Sequence, residues 1–481
     1  MSVLDLRTAA VIPAPASALG ERLRWVSSHP FRLRMAAAVA LTAAGWAPLY
    51  AGVVDAASQG SRGAYLLVVP VLLVMIAAAY RTPPRGVGDA ESDWIVVALV
   101  GAGGFIAIHL LAHRLPTLAG LWRLPLLSTV VWFACVLTVL FGVRHVVRMW
   151  PLWLFASCLS TPLPVLLATA ALGGSDRSVT AVAAGVGASA VALSTRAVTW
   201  RVRLAATLGC LAIGLAIAWA WTGLWPTVLV AGVLPVLTTA TVVRIQSKST
   251  VVEEFPLPDR TPLSAAVLVA AAAALLLTAA PSAGRAGEAV GVVGVVDGGW
   301  TQRTAWGAPT AYDFITRYLG PGSRWERFSV PPVEGLPAAA VDVVTTDNAG
   351  ALRDVADAVW YPSARPLAYR NADPSSSLPT GARTIHSNAD AATTGTDGQW
   401  YAITWTWHTP TVHQQVTVIV SQALTGAAPP PPPAPLSVSA MSLAPALWLA
   451  RQQPDDTGQV DELVRARAST LVETVTAVAR A

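Results

Sequence analysis

Lysine is almost absent from this chain, with Lys248 the only one among 32 basic residues. Charge of either sign is scarce as well, at 12% of a 481-residue chain that is 54% hydrophobic. Soluble domains carry about a quarter charged residues, so this scarcity excludes an ordinary soluble fold and predicts a polytopic membrane protein. Cysteine is also sparse. Cys135, Cys158 and Cys210 all fall in apolar stretches without a C-x-x-C partner, which excludes a disulfide framework and a cysteine zinc site. G-x-S-x-G, P-loop and H-E-x-x-H motifs are missing too, so no cofactor or metal is implied. The net charge of +5 is not a nucleic-acid signal until the arginines are placed.

What is present is a succession of apolar runs. A bilayer core about 30 Å thick needs roughly 20 residues of helix. Nine stretches approach that length: 35–54, 63–80, 94–112, 125–143, 149–172, 178–195, 204–222, 226–243 and 263–281. Residues 1–34 bear arginines and lead into the first run without a small-residue cleavage site, so that run is read as a retained span. Cytoplasmic loops retain Lys and Arg. With residues 1–34 cytoplasmic, the inner segments carry fifteen basic residues, and the short outer loops carry four, Arg62, Arg114, Arg123 and Arg177. The expectation is a bacterial plasma-membrane protein of nine spans over 35–281, the lipid bilayer its first partner. The excess of Ala, Val, Leu and Arg suits high-GC, actinobacterial-type coding. The short TGLWP hinge leaves 204–243 open between a tight hairpin and one broken element.

After about residue 282 the composition turns to Asp, Thr, Trp and Tyr among Gly and Pro. Residues 284–427 are long enough for a core of their own and are expected to form an extracytoplasmic α+β domain. WYAITWTWHT and VHQQVTVIVSQ, with Val416, Val418 and Val420 on one face, predict an antiparallel hairpin. TAYDFITRYL and AGALRDVADAVW read as helices. The proline run at 428–435 reads as a stiff spacer before a helical tail over 436–481. Residues 436–450 read as an interfacial or domain-packed helix, or as a tenth span. The last helix carries an apolar stripe of Leu463, Leu471, Val475 and Val478.

Candidate chemistry is thin. Cys158 lies about ten residues into its span, and its apolar neighbours favour a small packing residue over an activated thiol. His109 and His113 share a helix face near the outer surface, a spacing open to a metal, a proton relay or two interfacial imidazoles. In the outer domain, Tyr361, Arg365, Tyr369 and Arg370 crowd a proline-punctuated loop. That composition suits peptide or glycan recognition, or packing against the domain's own sheet. His386, Asn388 and Asp390 occupy alternate positions, and His408 and His413 flank the hairpin turn. They form a second binding candidate, open to a metal or to acid/base work.

One region resembles a known family. Ser58-Gln59-Gly60 and Ser61-Arg62-Gly63 form a polar outer loop before a proline-bearing span, Tyr65 to Tyr80, with a basic exit at Arg81 and Arg85. Arg144, His145 and Arg148 then precede Pro151 and a span ending Pro162-Leu163-Pro164. This pattern, over roughly residues 45–165, is similar to that of exosortase and archaeosortase family proteins. The resemblance implies a membrane scaffold of envelope protein sorting or export, and a secreted or envelope partner with a C-terminal sorting tail. Such proteins are thought to act as cysteine transpeptidases, with the nucleophile in A-x-x-C-S-G. That motif is missing here, and Cys210 sits in TLGCLA, with Thr207 where the alanine would be. VLPVLTTATVVRI echoes a later Asn-x-x-Arg pattern, matching at Arg244 and carrying Thr241 in place of the asparagine. The expectation is therefore a related scaffold without the usual cysteine chemistry. A second is a non-enzymatic scaffold whose outer domain binds an envelope protein or polymer. A transporter or polysaccharide-assembly role is a third.

Overall fold

A computed structural model describes residues 30–80, 90–246, 262–288 and 292–480, except 297–298, 305, 331–332, 334, 364–365, 374–376, 388–398, 410, 425–427, 440–442 and 452–459. The first half is a helical bundle. Its helices are α1 (Pro30–Ser58), α2 (Val69–Ala78, after a 3₁₀ turn at Arg62–Leu67), α3 (Ala90–Arg114), α4 (Pro116–Trp122) and α5 (Pro125–Phe141). They continue with α6 (Val143–Arg148), α7 (Trp150–Ser160), α8 (Pro162–Ala171), α9 (Asp176–Ser194) and α10 (Trp200–Ala220). The bundle ends with α11 (Leu224–Gln246) and α12 (Pro262–Glu288).

Five of these helices, α1, α3, α9, α10 and α11, are long and apolar enough to cross a membrane. The count is seven if the bent pairs α4–α5 and α7–α8 each make one span. Large apolar side chains such as Leu99, Ile106, Trp200 and Trp219 point outward from the bundle, as they do where lipid is the solvent. The protein is membrane-associated. Each of the nine apolar stretches falls on helix, and the TGLWP hinge separates two helices, α10 and α11, at Gly223 (φ 116°).

The two bends have separate causes. Pro162 and Pro164 each remove a backbone donor, and Thr161 before them is extended (φ −103°, ψ 121°), so α7 and α8 meet at 71°. The orphaned carbonyls find side chains. Thr161 Oγ1 donates to Ser157 O at 3.2 Å, and Tyr65 Oη, from the neighbouring 3₁₀ turn, donates to Leu159 O at 3.0 Å. At the other bend, of 67°, Arg123 takes a left-handed backbone (φ 48°) immediately before Leu124 and Pro125.

The second half is a sheet domain. Its strands are β1 (Val292–Val295), β2 (Thr310–Ala311), β3 (Arg324–Val330), β4 (Ala339–Thr346), β5 (Arg370–Asn371), β6 (Arg383–His386), β7 (Trp400–His408) and β8 (His413–Ser421). They run in the order β2-β3-β4-β8-β7-β6-β5, antiparallel throughout. The short β1 adds in parallel to β7 beyond the end of β6. The expected hairpin is present, with His408 opposite His413.

Alternation divides the sheet into two faces. Tyr401, Ile403, Trp405 and Trp407, with Val416, Val418 and Val420, pack beneath the terminal helix. The opposite face joins Trp325, Trp400 and Ile419 to Leu121, Leu163 and Leu166 of the helical bundle in one continuous core.

Several expected elements take another form. TAYDFITRYL is not one helix. It divides into β2, a 3₁₀ turn at Asp313–Ile315 and a single turn α13 (Thr316–Leu319), because Tyr312 and Tyr318 pack edge-on, and Phe314 at a tilt, around Trp325 and Trp360. AGALRDVADAVW is helical only over α14 (Ala349–Asp354). The proline run is a strap on the sheet rather than a spacer. Its backbone groups, which a polyproline stretch leaves free, are used: Pro431 O accepts from Arg327 at 2.9 Å, and Ala434 N–H donates to Trp360 O at 2.7 Å. Beyond it, α15 (Ala444–Ala450) buries no residue. The last helix, α16 (Glu462–Arg480), uses Val464, Ala468, Leu471, Val472 and Val475 for its stripe. Leu463 is half exposed instead, one position off the buried face.

Candidate functional site

The most elaborate polar arrangement among the described residues lies where the sheet domain meets the bundle. Between α1 and α2 the chain turns through Ser61-Arg62-Gly63. Ser61 caps the 3₁₀ turn by accepting from Gly63 N–H at 3.0 Å. Its hydroxyl also donates to Asp354 of the sheet domain, at 2.7 and 2.9 Å to the two carboxylate oxygens. The same carboxylate accepts from the Arg62 backbone N–H at 2.7 Å and from Arg123 Nη2 at 2.8 Å. Three donors from two loops of the bundle thus converge on one carboxylate at the end of α14. Charge-assisted bonds of this kind are about twice as strong as neutral ones.

The Arg62 side chain is buried. Its Nη2 donates to Gly174 O at 2.6 Å, Gly174 standing in the loop between α8 and α9. Backbones approach closely around this cluster. Gly350 N–H donates to Gln59 O at 3.0 Å, and a Cβ on Gly350 would collide with the Ser61 backbone nitrogen. Gly174 (φ 70°) lies so near Arg317 O that a side chain there would overlap it. Outside the cluster, Asn348 Nδ2 donates to Gly60 O at 3.0 Å, Arg353 pairs with Asp55 at 3.2 Å, and Thr117 Oγ1 donates to Leu367 O.

Below Asp354, the space enclosed by Arg62, Tyr65, Leu163, Leu166 and Thr169 is only about 10 Å³, room for about one water. The junction is closed. It is built to hold two domains together around a carboxylate, and it has no space for a substrate.

The sequence-predicted residues lie elsewhere. Cys158 is exposed on α7, and Cys135 and Cys210 are buried in the bundle. No thiol lines the enclosed space or bonds to the cluster. His109 and His113 are both exposed on α3. Among the described residues no group of three His, Cys, Asp or Glu side chains is placed to hold a metal.

Tyr361 and Tyr369 belong to the sheet domain's packing. Tyr361 Oη donates to Asp342 at 2.6 Å beneath the Arg327–Asp342 pair, and burial, then the Asp342 charge, holds its phenol well above the ordinary range. Tyr369 Oη donates to Ala358 O at 3.2 Å, and burial pushes that phenol up to about 12. The Tyr361 ring is buried in the aromatic core, and the Tyr369 ring, partly buried, packs against it. Arg370 is exposed on β5, opposite Thr384. His386 ends β6 opposite Tyr401, while Arg365, Asn388 and Asp390 lie outside the described residues.

Sequence reasoning missed Asp354, and saw Arg123 only as one of four outer arginines. The available signal was that a buried guanidinium needs a carboxylate. Asp93, buried at the start of α3, was also missed. It caps α6 by accepting from Val143 N–H at 2.7 Å.

No family model, curated protein or solved structure matches the chain. Two of the features that carry the resemblance, the Ser61-Arg62-Gly63 loop and the Pro162-x-Pro164 break, meet at this junction.

Proposed function

We propose that this chain is a bacterial plasma-membrane protein of envelope protein sorting or export, exosortase-like in scaffold and working without cysteine chemistry. Its nine spans are the seven above with two shorter apolar helices, Arg62–Ala78 and Ser264–Leu277. The N-terminus is cytoplasmic and the sheet domain extracytoplasmic. Its partner is a secreted or envelope protein with a C-terminal sorting tail. The observation that carries the reading is the hold of Asp354 on Ser61, Arg62 and Arg123: the loop that resembles the family is the one on which the sheet domain docks. Such a domain sits where a tail emerging from the bilayer would meet it, and the closed junction with no thiol beside it supports a presenting role over a cutting one.

The test is a deletion strain complemented with either the natural chain or a Cys135→Ser, Cys158→Ser, Cys210→Ser triple variant. In the deletion strain a secreted protein with a motif–apolar–basic tail should stay in the membrane fraction. Both chains should restore its sorting. An unchanged envelope proteome in the deletion strain would refute the sorting role. Failure of the triple variant at normal abundance would restore a thiol mechanism.

A further inference from the structure

Beside the closed junction, between α14 and the polar part of the bundle-facing sheet surface, is a cavity of about 210 Å³. Its charged lining residues are two arginines, Arg353 of α14 and Arg383 of β6. Thr404 and Thr406 of β7 and Gln415 of β8 line it as well, with Thr406 and Gln415 directly opposite in register. His413 of β8 and Gln59, the residue after α1 ends, complete the polar lining.

The hydrogen-bond accounts of these groups differ. Thr404 is satisfied: its Oγ1 accepts from Gln415 Nε2 at 3.1 Å and donates to Val416 O at 3.2 Å. Thr406 Oγ1 is buried and has no hydrogen-bond partner among the described residues. Arg383 is largely committed, with Nη1 on Asp357 at 2.7 Å and Nη2 on Ala356 O at 2.6 Å. Arg353 uses one nitrogen, Nη1, on Asp55 at 3.2 Å, and that carboxylate is 63% exposed. An exposed pair of this kind is weak, so most of the guanidinium fork remains available.

The charged groups of the lining are arginines, each also paired with one carboxylate, Asp55 or Asp357, and an unpartnered hydroxyl stands beside them. Arg forks match the oxygens of phosphate in shape and charge. The volume exceeds several waters, at about 30 Å³ each, and falls below the roughly 300–1,000 Å³ of drug-sized sites. A small, oxygen-rich group fits. Position narrows its source, because Gln59 follows the last residue of α1, a helix long and apolar enough to cross a membrane, and the end of such a span lies near the headgroup layer.

We propose that this cavity binds a phosphoester, that of an anionic phospholipid headgroup, through Arg353 and Thr406. The inference rests on the membrane placement of α1 and not on the sorting role. The full chain, reconstituted in nanodiscs of phosphatidylcholine with or without phosphatidylglycerol, is isolated and its retained lipid quantified by mass spectrometry. Tryptophan fluorescence is followed in parallel in detergent as glycerol 3-phosphate is added, because Trp405 and Trp407 also line the cavity.

The natural chain should enrich phosphatidylglycerol. Arg353→Gln should reduce that enrichment about tenfold, the effect of one charge-assisted hydrogen bond, and Thr406→Val, which keeps the shape, should reduce it less. A glycerol 3-phosphate response that both variants lose, without lipid enrichment, would support the phosphoester and identify a soluble source. Equal retention of both lipids with no response to glycerol 3-phosphate would overturn the proposal. So would enrichment that survives both substitutions, or binding confined to a short acidic peptide.

Discussion

Arg123 and Asp354 meet at 2.8 Å across the junction, and among the described residues Arg123 is the only one other than glycine with a positive φ. A left-handed arginine costs about 1–2 kcal/mol in backbone energy. Strained positions of this kind cluster where structure has a task. Here the strain turns α4 into α5 and delivers the guanidinium to the carboxylate on which Ser61 and Arg62 also converge.

Substitution at this pair should separate strain from pairing. Asp354→Asn should destabilise docking of the sheet domain by about 2–3 kcal/mol, since it leaves a mostly buried guanidinium without its charge partner. Arg123→Gly should cost less than Arg123→Ala by about 1 kcal/mol, because glycine accepts the left-handed backbone that alanine resists. Thermal unfolding of the full chain in detergent, with limited proteolysis of the sheet domain, measures both. Equal effects of Gly and Ala would mean that the backbone at residue 123 stores no strain.

The break at Pro162 makes a second prediction. Tyr65 Oη donates to Leu159 O at 3.0 Å, and both groups lie in apolar surroundings. Tyr65→Phe should therefore lower stability by about 1–3 kcal/mol, the cost of an unmet buried carbonyl, although it removes one oxygen and no packing volume. A melting temperature equal to that of the natural chain would show that another donor reaches Leu159.

Much of this architecture was legible in the sequence, and the exceptions have physical reasons. Apolar run length located the helices, because lipid demands it of every span, and alternation located β7 and β8, because one face of each is buried. The Thr161 contribution at the proline break was also legible, since a proline leaves specific carbonyls unmet. Tertiary contacts were not. TAYDFITRYL has helical spacing, yet its rings serve the Trp325–Trp360 cluster from a chain of short turns. The proline run carries no sign of its partners, because the Arg327 guanidinium and the Trp360 carbonyl are brought to it by the fold of the domain. Asp354 looked like one more helix acid, since its partners lie 231 or more residues away.

The strap identifies a third position. Asp342 accepts from Arg327 Nε and Nη2 at 2.8 and 2.9 Å and from Tyr361 Oη at 2.6 Å, all three side chains being buried. Asp342→Asn should cost about 3–5 kcal/mol, as expected when a buried cation loses its partner. Tyr361→Phe should cost about 1 kcal/mol. Because Arg327 also holds the Pro431 carbonyl, Asp342→Asn should expose the 428–435 strap to proteolysis before the rest of the domain. Simultaneous cleavage throughout the domain would show the strap to be no separate unit.

Acidification should weaken the β7–β8 hairpin. His408 and His413 face each other in register with ring centroids 6.4 Å apart, and partial burial, then the His408 charge, lowers the His413 pKa from its usual 6.5. The unfolded chain then binds a proton that the folded chain refuses, so stability is full above about pH 6.5 and falls as pH drops through that value. His413→Gln should flatten the dependence. Melting curves at pH 7.5 and 5.5 measure it, and a natural chain more stable at the lower pH would reverse the assigned direction.

Topology provides the broadest prediction. The proposed nine-span arrangement, with fifteen inner and four outer basic residues, predicts the segment around Lys248 in the cytoplasm and Gln302 outside, with the single span 263–281 between them. A reporter fused after Lys248 should score as cytoplasmic, and one fused after Gln302 as extracytoplasmic. The Asp354 contacts make this result decisive for the junction, because Ser61 and Arg123 sit in loops that must lie on the same side as the sheet domain. A cytoplasmic signal after Gln302 would require the loops at Ser61 and Arg123 to be cytoplasmic too. The basic residues would then lie on the wrong side of every span.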